Sequence, residues 1–284
     1  MRFVTLVHAG QDEPGVMIDG AAVPLRSAGF TDLISVIRGG ADAIDRVDRW
    51  LLKGPRSAQL DPASTRLRAP IPRPPKIICI GLNYRDHAIE SNLPIPETPT
   101  VFSKYSTSVI GHKDPIVLPK HSTQPDYEAE FAVVIGKGGR YIREEDWRAH
   151  VFGYTILNDV SARDFQMATS QWMIGKTFDT FAPIGPVIVT ADEIEDPHNV
   201  NISLTLNGVT MQSSNTRNLI FGVPKLIAYL SSVFTLEPGD IISTGTPAGV
   251  GFARKPPRFL APGDEVTVHV QGIGELINPV VAEP

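Results

Sequence analysis

The chain has 284 residues, 42% of them hydrophobic and 20% charged, with a formal net charge of −5 and a pI near 5.8. That length buries a sizeable core and admits one large domain, or a main domain with a small companion. The mildly acidic balance gives no electrostatic case for nucleic acid or an anionic membrane as partner, and no stretch reaches the roughly 18 consecutive apolar residues of a membrane span.

In chain order, Phe3, Thr5 and Val7 alternate with Val4 and Leu6 in strand fashion. The opening run to His8 is too short for a signal peptide. Two further strands, at residues 15–18 and 22–25, flank an Asp19-Gly20 turn and read as a hairpin. Apolar residues from Leu33 to Leu51 recur at helical spacing, broken at Gly39-Gly40, which predicts two short helices. Four prolines at positions 70, 72, 74 and 75 then form a semi-rigid connector, and the domain boundary is placed there: residues 1–69 and 70–284. Beyond it, strands are predicted at 76–81, 127–135, 151–157, 185–190, 201–206, 240–244 and 265–271, with helices only near 84–91 and 223–233. No fixed-period repeat occurs. The fold class is α+β, dominated by strands. The single cysteine, Cys79, excludes an intrachain disulfide. It sits in an apolar strand as a small core residue, and a cytoplasmic chain is expected.

The segment Asp126-Tyr127-Glu128-Ala129-Glu130-Phe131 carries the most chemistry. Residues two apart on a strand share a side, so Glu128 and Glu130 project together while Tyr127, Ala129 and Phe131 face away. Two adjacent carboxylates on a strand that runs on into an apolar core need a cation. A third acid, Asp159, ends another apolar strand, where it serves either as a further ligand or as a helix N-cap. Three carboxylates are hard oxygen ligands suited to Mg²⁺, Mn²⁺ or Ca²⁺, whereas no Cys/His set of zinc type exists. His87 and Glu90, three apart on a short helix, can touch, and a carboxylate fixes the tautomer and raises the basicity of an imidazole. Gly175-Lys176-Thr177 is not a phosphate-binding loop, because Ser170 stands where its first glycine is required. No Gly-x-Ser-x-Gly elbow is present. The other histidines show no ligand spacing, and Arg163 reads as a structural partner for nearby acids.

Five segments together resemble the fumarylacetoacetate hydrolase family, especially its domain-containing branch of acylpyruvases and oxaloacetate decarboxylase-tautomerases. They are Gly81-Leu82-Asn83-Tyr84-Arg85-Asp86-His87, Glu128-Ala129-Glu130, residues 158–164, residues 175–179 and residues 243–251. The likeness spans residues 70–281. It implies a mixed β-sandwich or roll catalytic domain behind a small N-terminal α+β domain, a homodimer, and a metal, Mg²⁺ first, on Glu128, Glu130 and Asp159. It also implies that the His87–Glu90 helix is a lid, that Lys176 lies at the active site, and that Gln166 and Thr246 contact substrate. The founding hydrolases place a fourth carboxylate ligand near Asn83, where this chain has a neutral amide.

The expected substrate is a small 2-oxo acid that chelates the metal and forms an enolate at C3. The first expectation is hydrolysis of a C–C bond in a 2,4-dioxo acid of the acylpyruvate type, with water activated by the dyad. Oxaloacetate decarboxylation or keto–enol tautomerisation at the same site is the alternative. A non-catalytic metal-stabilised binding protein would need neither His87 nor Lys176.

Overall fold

The computed structural model describes residues 1–54, Leu60 and 65–284. Strands β1 (Arg2–His8), β2 (Gln11–Ile18) and β3 (Ala21–Pro24) open the chain as the expected hairpin series, followed by helix α1 (Leu33–Leu51) and β4 (Leu67–Arg68). The remaining strands are β5 (Ile77–Gly81), β6 (Thr100–Lys104), β7 (Val109–Ile110), β8 (Ile116–Leu118), β9 (Pro125–Asp126), β10 (Ala129–Ile135), β11 (Val151–Asn158), β12 (Ser161–Ala162), β13 (Ala182–Thr190), β14 (Asn201–Leu206), β15 (Val209–Asn215), β16 (Ile241–Ser243), β17 (Glu265–Val270) and β18 (Gly274–Ala282). Four further helices, α2 (Arg85–Glu90), α3 (Arg163–Gln166), α4 (Met173–Lys176) and α5 (Val223–Val233), complete the α+β architecture.

An 11-stranded sheet runs in the order β3-β2-β1-β13-β11-β10-β16-β5-β6, with β4 on β1 and β7 on β13. A second sheet of five strands, β15-β14-β17-β18-β8, lies apart from it. Side chains of both sheets meet in one core: Phe131, Val133, Ile135 and Ile156 from the large sheet join Ile202, Leu204, Val266, Val268 and Leu276 from the small one. Helix α5 adds Leu226, Ile227 and Leu230 to the same cluster. Strand β10 is therefore covered on both faces, since its alternate residues Ala132 and Val134 enter two other apolar clusters. This is why it reads as a continuous apolar run and why charge at its start is shielded from water.

The sheet crosses the proline connector. β1 pairs antiparallel with β13 (Arg2 opposite Val189, Phe3 opposite Ile188), and α1 packs Val36, Ile37 and Val47 into a cluster that includes Val134 and Ile188. The expected break is present: α1 comprises two helices that meet at Gly40, which takes the non-helical φ 53°, ψ −135°, a conformation open to glycine. Within the segment 1–69, residues 55–59 and 61–64 lie outside the described residues.

Removing residues 1–69 would bare Val134 and Ile188 and leave β13 with an open edge, a route to edge-to-edge association. The shortened chain 70–284 is expected to melt at least about 10 °C lower than the full chain, or to precipitate, a loss of several kcal/mol at this size. Thermal unfolding and light scattering of both chains would check this, and an unchanged melting point would show that the two segments are energetically independent.

Candidate metal centre and active site

Glu128 precedes β10, Glu130 is its second residue, and Asp159 follows the last residue of β11. The two strands pair with Ala129 opposite Asn158 and Glu130 opposite Leu157. Beyond that ladder the Asp159 N–H donates to the Glu128 carbonyl (2.9 Å), and the Glu128 N–H donates to Asn158 Oδ1 (3.0 Å). These bonds fix the strand ends side by side. One carboxylate oxygen from each of Glu128, Glu130 and Asp159 falls within 4.8 Å of the others, and all three residues are buried.

Three buried cations face this cluster. Lys176, carried by α4, donates to Glu128 Oε2 and Asp159 Oδ2, each at 2.8 Å. Lys104, the last residue of β6, reaches Asp159 Oδ1 at 2.6 Å. Arg163, the first residue of α3, bridges Glu128 Oε1 (2.6 Å) and Asp126 Oδ2 (2.9 Å). Burial resists ionisation of Glu128, but Lys176 and then Arg163 outweigh it and bring its pKa to about 2. Lys176 is likewise opposed by burial and then favoured by Asp159 and Glu128, so its ammonium is held charged above the ordinary lysine range.

Glu130 is different. It accepts from the Ser243 hydroxyl and from the Gly245 N–H (2.9 Å), both neutral donors. Burial, then the charges of Asp159 and Glu128, push its pKa well above the carboxylate range. Among the described residues, then, four buried carboxylates meet three cations, and Glu130 is the acid that touches none. Three hard oxygen donors with surplus negative charge fit a divalent cation such as Mg²⁺, Mn²⁺ or Ca²⁺.

The Gly-rich segment after β16 shapes the rest of the site. Gly245 has φ 101°, and a Cβ there would stand 2.9 Å from both Asn83 Cβ and the Ile80 carbonyl. Only glycine lets this turn bring its N–H onto Glu130. Asn83 donates to the Thr244 (2.8 Å) and Phe221 (3.0 Å) carbonyls and accepts from the Phe221 N–H (2.8 Å). Its amide is thus spent on backbone, tying the start of α2 to this turn. Thr246 is buried and accepts from Gln212 Nε2 (2.8 Å), while Gln166 accepts from Arg163 Nη1 (2.9 Å).

Helix α2 carries His87, whose charge acts on Glu128 as the smallest of the influences that lower its pKa. His87 Nδ1 lies 3.4 Å from Glu90 Oε2, and both Glu90 oxygens accept from the Gly249 N–H at 3.0 Å. Burial opposes ionisation of Glu90, but the bonds from His87 and Gly249 prevail and lower its pKa. His87 is buried beside Ala88, whereas the neighbouring Ile89 is 77% exposed. At the other end Arg85 donates to the Leu219 carbonyl (2.6 Å), and Asp86 accepts from Ser214 and Asn218.

The structure thus gathers Glu128, Glu130, Asp159 and Lys176 in one cluster. His87 approaches from α2, and Gln166 and Thr246 lie one hydrogen bond removed, on Arg163 and Gln212. Lys104, Asp126 and Ser243 were not singled out from the sequence. Asp126 had a signal, because it extends the Glu128–Glu130 alternation by two. Lys104 had none: a lysine on an edge strand ordinarily faces water. His198 and His112 hold structural bonds, accepting the N–H groups of Val223 (3.1 Å) and Ile277 (3.2 Å).

Residues 76–281 match the fumarylacetoacetate (FAA) hydrolase C-terminal family. The chain belongs to the fumarylacetoacetate hydrolase family. It is 52% identical over 215 residues, 75% of this chain and 68% of the other, to the mitochondrial oxaloacetate tautomerase FAHD2A of Bos taurus. Its structure is similar to fumarylacetoacetate hydrolase from Exiguobacterium antarcticum (TM-score 0.87, 36% identity, 100% of both chains). It is also similar to maleylpyruvate hydrolase from Sphingobium sp. SYK-6, solved with manganese(II) and pyruvate (TM-score 0.84, 31% identity, 100% of both chains). The chain is thus an enzyme of this family, and its strand-dominated α+β fold is the family's. The comparison corrects the cytoplasmic expectation: the bovine relative is a mitochondrial protein. A lone buried cysteine excludes a disulfide but does not tell one reducing compartment from another.

Replacing Arg163 by methionine keeps the side-chain volume but strips both Asp126 and Glu128 of a buried partner. A loss of about 3–5 kcal/mol is expected, the scale for breaking one side of a buried ion pair. Urea unfolding would measure it, and a loss below ~1 kcal/mol would show that the remaining backbone donors to Asp126 suffice.

Proposed function

We propose that this chain is a Mg²⁺-dependent enzyme of small 2-oxo acids whose central step is proton transfer at the carbon next to the 2-oxo group, with oxaloacetate tautomerisation as the reaction. The carrying observation is the joint presence of a three-carboxylate cluster and a carboxylate-oriented imidazole. The 52% identity to an oxaloacetate tautomerase supports this choice of substrate. A divalent ion on Glu128, Glu130 and Asp159 would supply Lewis acidity toward the oxygens of a 2-oxo acid.

The chain's own residues do the rest. Glu90 holds His87 Nδ1, leaving Nε2 as the atom that takes a proton from C3 of the keto form, while the 2-oxo oxygen gains a proton from water to give the enol. In the reverse direction the enol O–H gives its proton to water and Nε2 returns one to C3. Lys176 and Arg163 keep Glu128 ionised, and Lys176 places positive charge where the substrate oxygens gain negative charge. Two buried donors, Arg163 Nη2 and Asn158 Nδ2, find no partner among the described residues. Such orphans cost about 1–3 kcal/mol each, and an oxygen-rich ligand would satisfy them. We read the enzyme as a homodimer.

A second reading, hydrolysis of an acylpyruvate, is favoured by the same dyad, which can direct a water at the distal carbonyl, and by the pyruvate-bound hydrolase relative. The products separate the two. The wild type is expected to interconvert the oxaloacetate tautomers and to lose this in EDTA, with activity restored by Mg²⁺. Glu128→Ala, Glu130→Ala and Asp159→Ala are each expected to abolish it through lost metal affinity. His87→Ala is expected to lower the rate about 10²-fold or more, the scale of a lost general base, with Mg²⁺ binding intact. Rapid cleavage of acetylpyruvate with no tautomer exchange would promote hydrolysis, and full activity after metal removal would sink both readings.

A further inference from the structure

Lys104 is the one residue of β6 that is fully covered. The strand forms the outer edge of the 11-stranded sheet, and its residues run exposed, exposed, half-buried, exposed, buried. A lysine at the end of such a strand is among the residues least often found inside a protein. Its side chain is nonetheless 0% exposed. Taking an ammonium out of water costs several kcal/mol unless partners repay it. Here they do so at one place: Asp159 Oδ1 at 2.6 Å and the Val160 carbonyl at 3.0 Å.

The bond to Val160 distinguishes Lys104 from a simple counter-ion. The ammonium is fastened to the backbone directly after Asp159 and to the outer oxygen of its carboxylate at once. Val160 itself is buried and its N–H donates to the Asn158 carbonyl (2.9 Å). One turn of chain, its carboxylate and the ammonium therefore form a closed frame. The other oxygen, Oδ2, accepts from Lys176, which also donates to Glu128. With Oδ1 held by Lys104, rotation of the carboxylate about Cβ–Cγ is blocked, and Oδ2 stays directed at the acid cluster.

We infer that Lys104 is a positioning residue for the metal centre: it sets the rotamer of Asp159 from the edge of the sheet, without touching substrate. The inference rests on the reading of Glu128, Glu130 and Asp159 as metal ligands. Outer partners of this kind are worth about 10- to 100-fold in metal affinity when removed.

Electrostatics alone predicts the opposite sign, which makes the inference testable. Lys104→Met keeps the stem and deletes a positive charge near the centre. A lysine that only balanced charge would, on removal, leave a more negative site that binds a divalent cation more tightly. A positioning lysine, once removed, leaves the carboxylate held by Lys176 alone through Oδ2, so it can pivot about that bond, and binding weakens. The measurement is Mn²⁺ affinity by calorimetry on the full chain, for wild type, Lys104→Met, Asp159→Asn and the double variant. Lys104→Met is expected to bind Mn²⁺ at least about 10-fold more weakly. The double variant, which restores charge balance should the single variant unfold, is expected to match Asp159→Asn, because Lys104 acts through that carboxylate. Equal or tighter binding by Lys104→Met, or a further loss in the double variant beyond Asp159→Asn, overturns the role of Lys104. A wild type that takes up no Mn²⁺ overturns the metal reading itself, and the inference with it.

Discussion

Four carboxylates buried at one end of a sheet set the terms for everything around them. Each would repel the others and resist losing its water, so the fold must bring cations from elsewhere in the chain to the cluster, where they pair with Asp126, Glu128 and Asp159. It does so from three directions. Lys104 arrives from the sheet edge, Lys176 from the short helix α4, and Arg163 from α3. The short helix α3 and strand β12 also place Phe165 and Ala162 on the main core, so packing and charge together fix where these cations stand.

Neutral donors complete the enclosure, both beside a cation, as at Asp126, and where none arrives, as at Glu130. Asp126 takes the N–H groups of Tyr127 (2.9 Å), Gly251 (2.7 Å) and Phe252 (3.0 Å). A Cβ at Gly251 would stand 2.4 Å from Asp126 Oδ1 and 2.1 Å from the Arg258 carbonyl. The Gly-rich segment 245–251 therefore does two jobs with one backbone. Its first N–H, at Gly245, holds Glu130, and the N–H of Gly249 holds Glu90. Glu130 belongs to the rigid acid cluster and Glu90 to the helix that carries His87. Their relative placement is thus set by the five residues 245–249 and not by the packing of distant elements.

Periodicity made the long elements legible. The alternation of Ile202, Leu204 and Leu206 and the helical spacing from Val223 to Val233 gave bounds that the structure repeats. It failed where polar side chains have structural duties. β15 reads Val-Thr-Met-Gln-Ser-Ser-Asn, with Gln212 buried because its amide joins Ala129 to Thr246 and Pro247. β18 is interrupted by Asn278 and Pro279, and Asn278 is buried on the Gly111 and Asp114 carbonyls. The same limit applies at the site. Glu128, Glu130 and Asp159 stood out because acids beside apolar strands are anomalous in any sequence. Lys104 did not, because a lysine on an edge strand is the ordinary case until the fold turns it inward.

The division between a fixed cluster and a separately carried base bears on which reaction such a site performs. The acids are locked by strand ladders and buried ion pairs, so on the proposed function the place of a 2-oxo acid's oxygens is set before any chemistry. His87 sits instead on a six-residue helix held by polar contacts at its two ends, from Arg85 and Asp86 on one side and Glu90 on the other. Polar contacts to loops are weaker and more adjustable than core packing. On that reading, small shifts of α2 would move the imidazole relative to a substrate held by the acids. Directed at C3, it exchanges a proton. Held back far enough to admit a water, it serves attack on a more distant carbonyl. On the proposed function, the choice between tautomerisation and hydrolysis is then made by the loops that receive Asp86 and Glu90, and not by the acids that the two chemistries share.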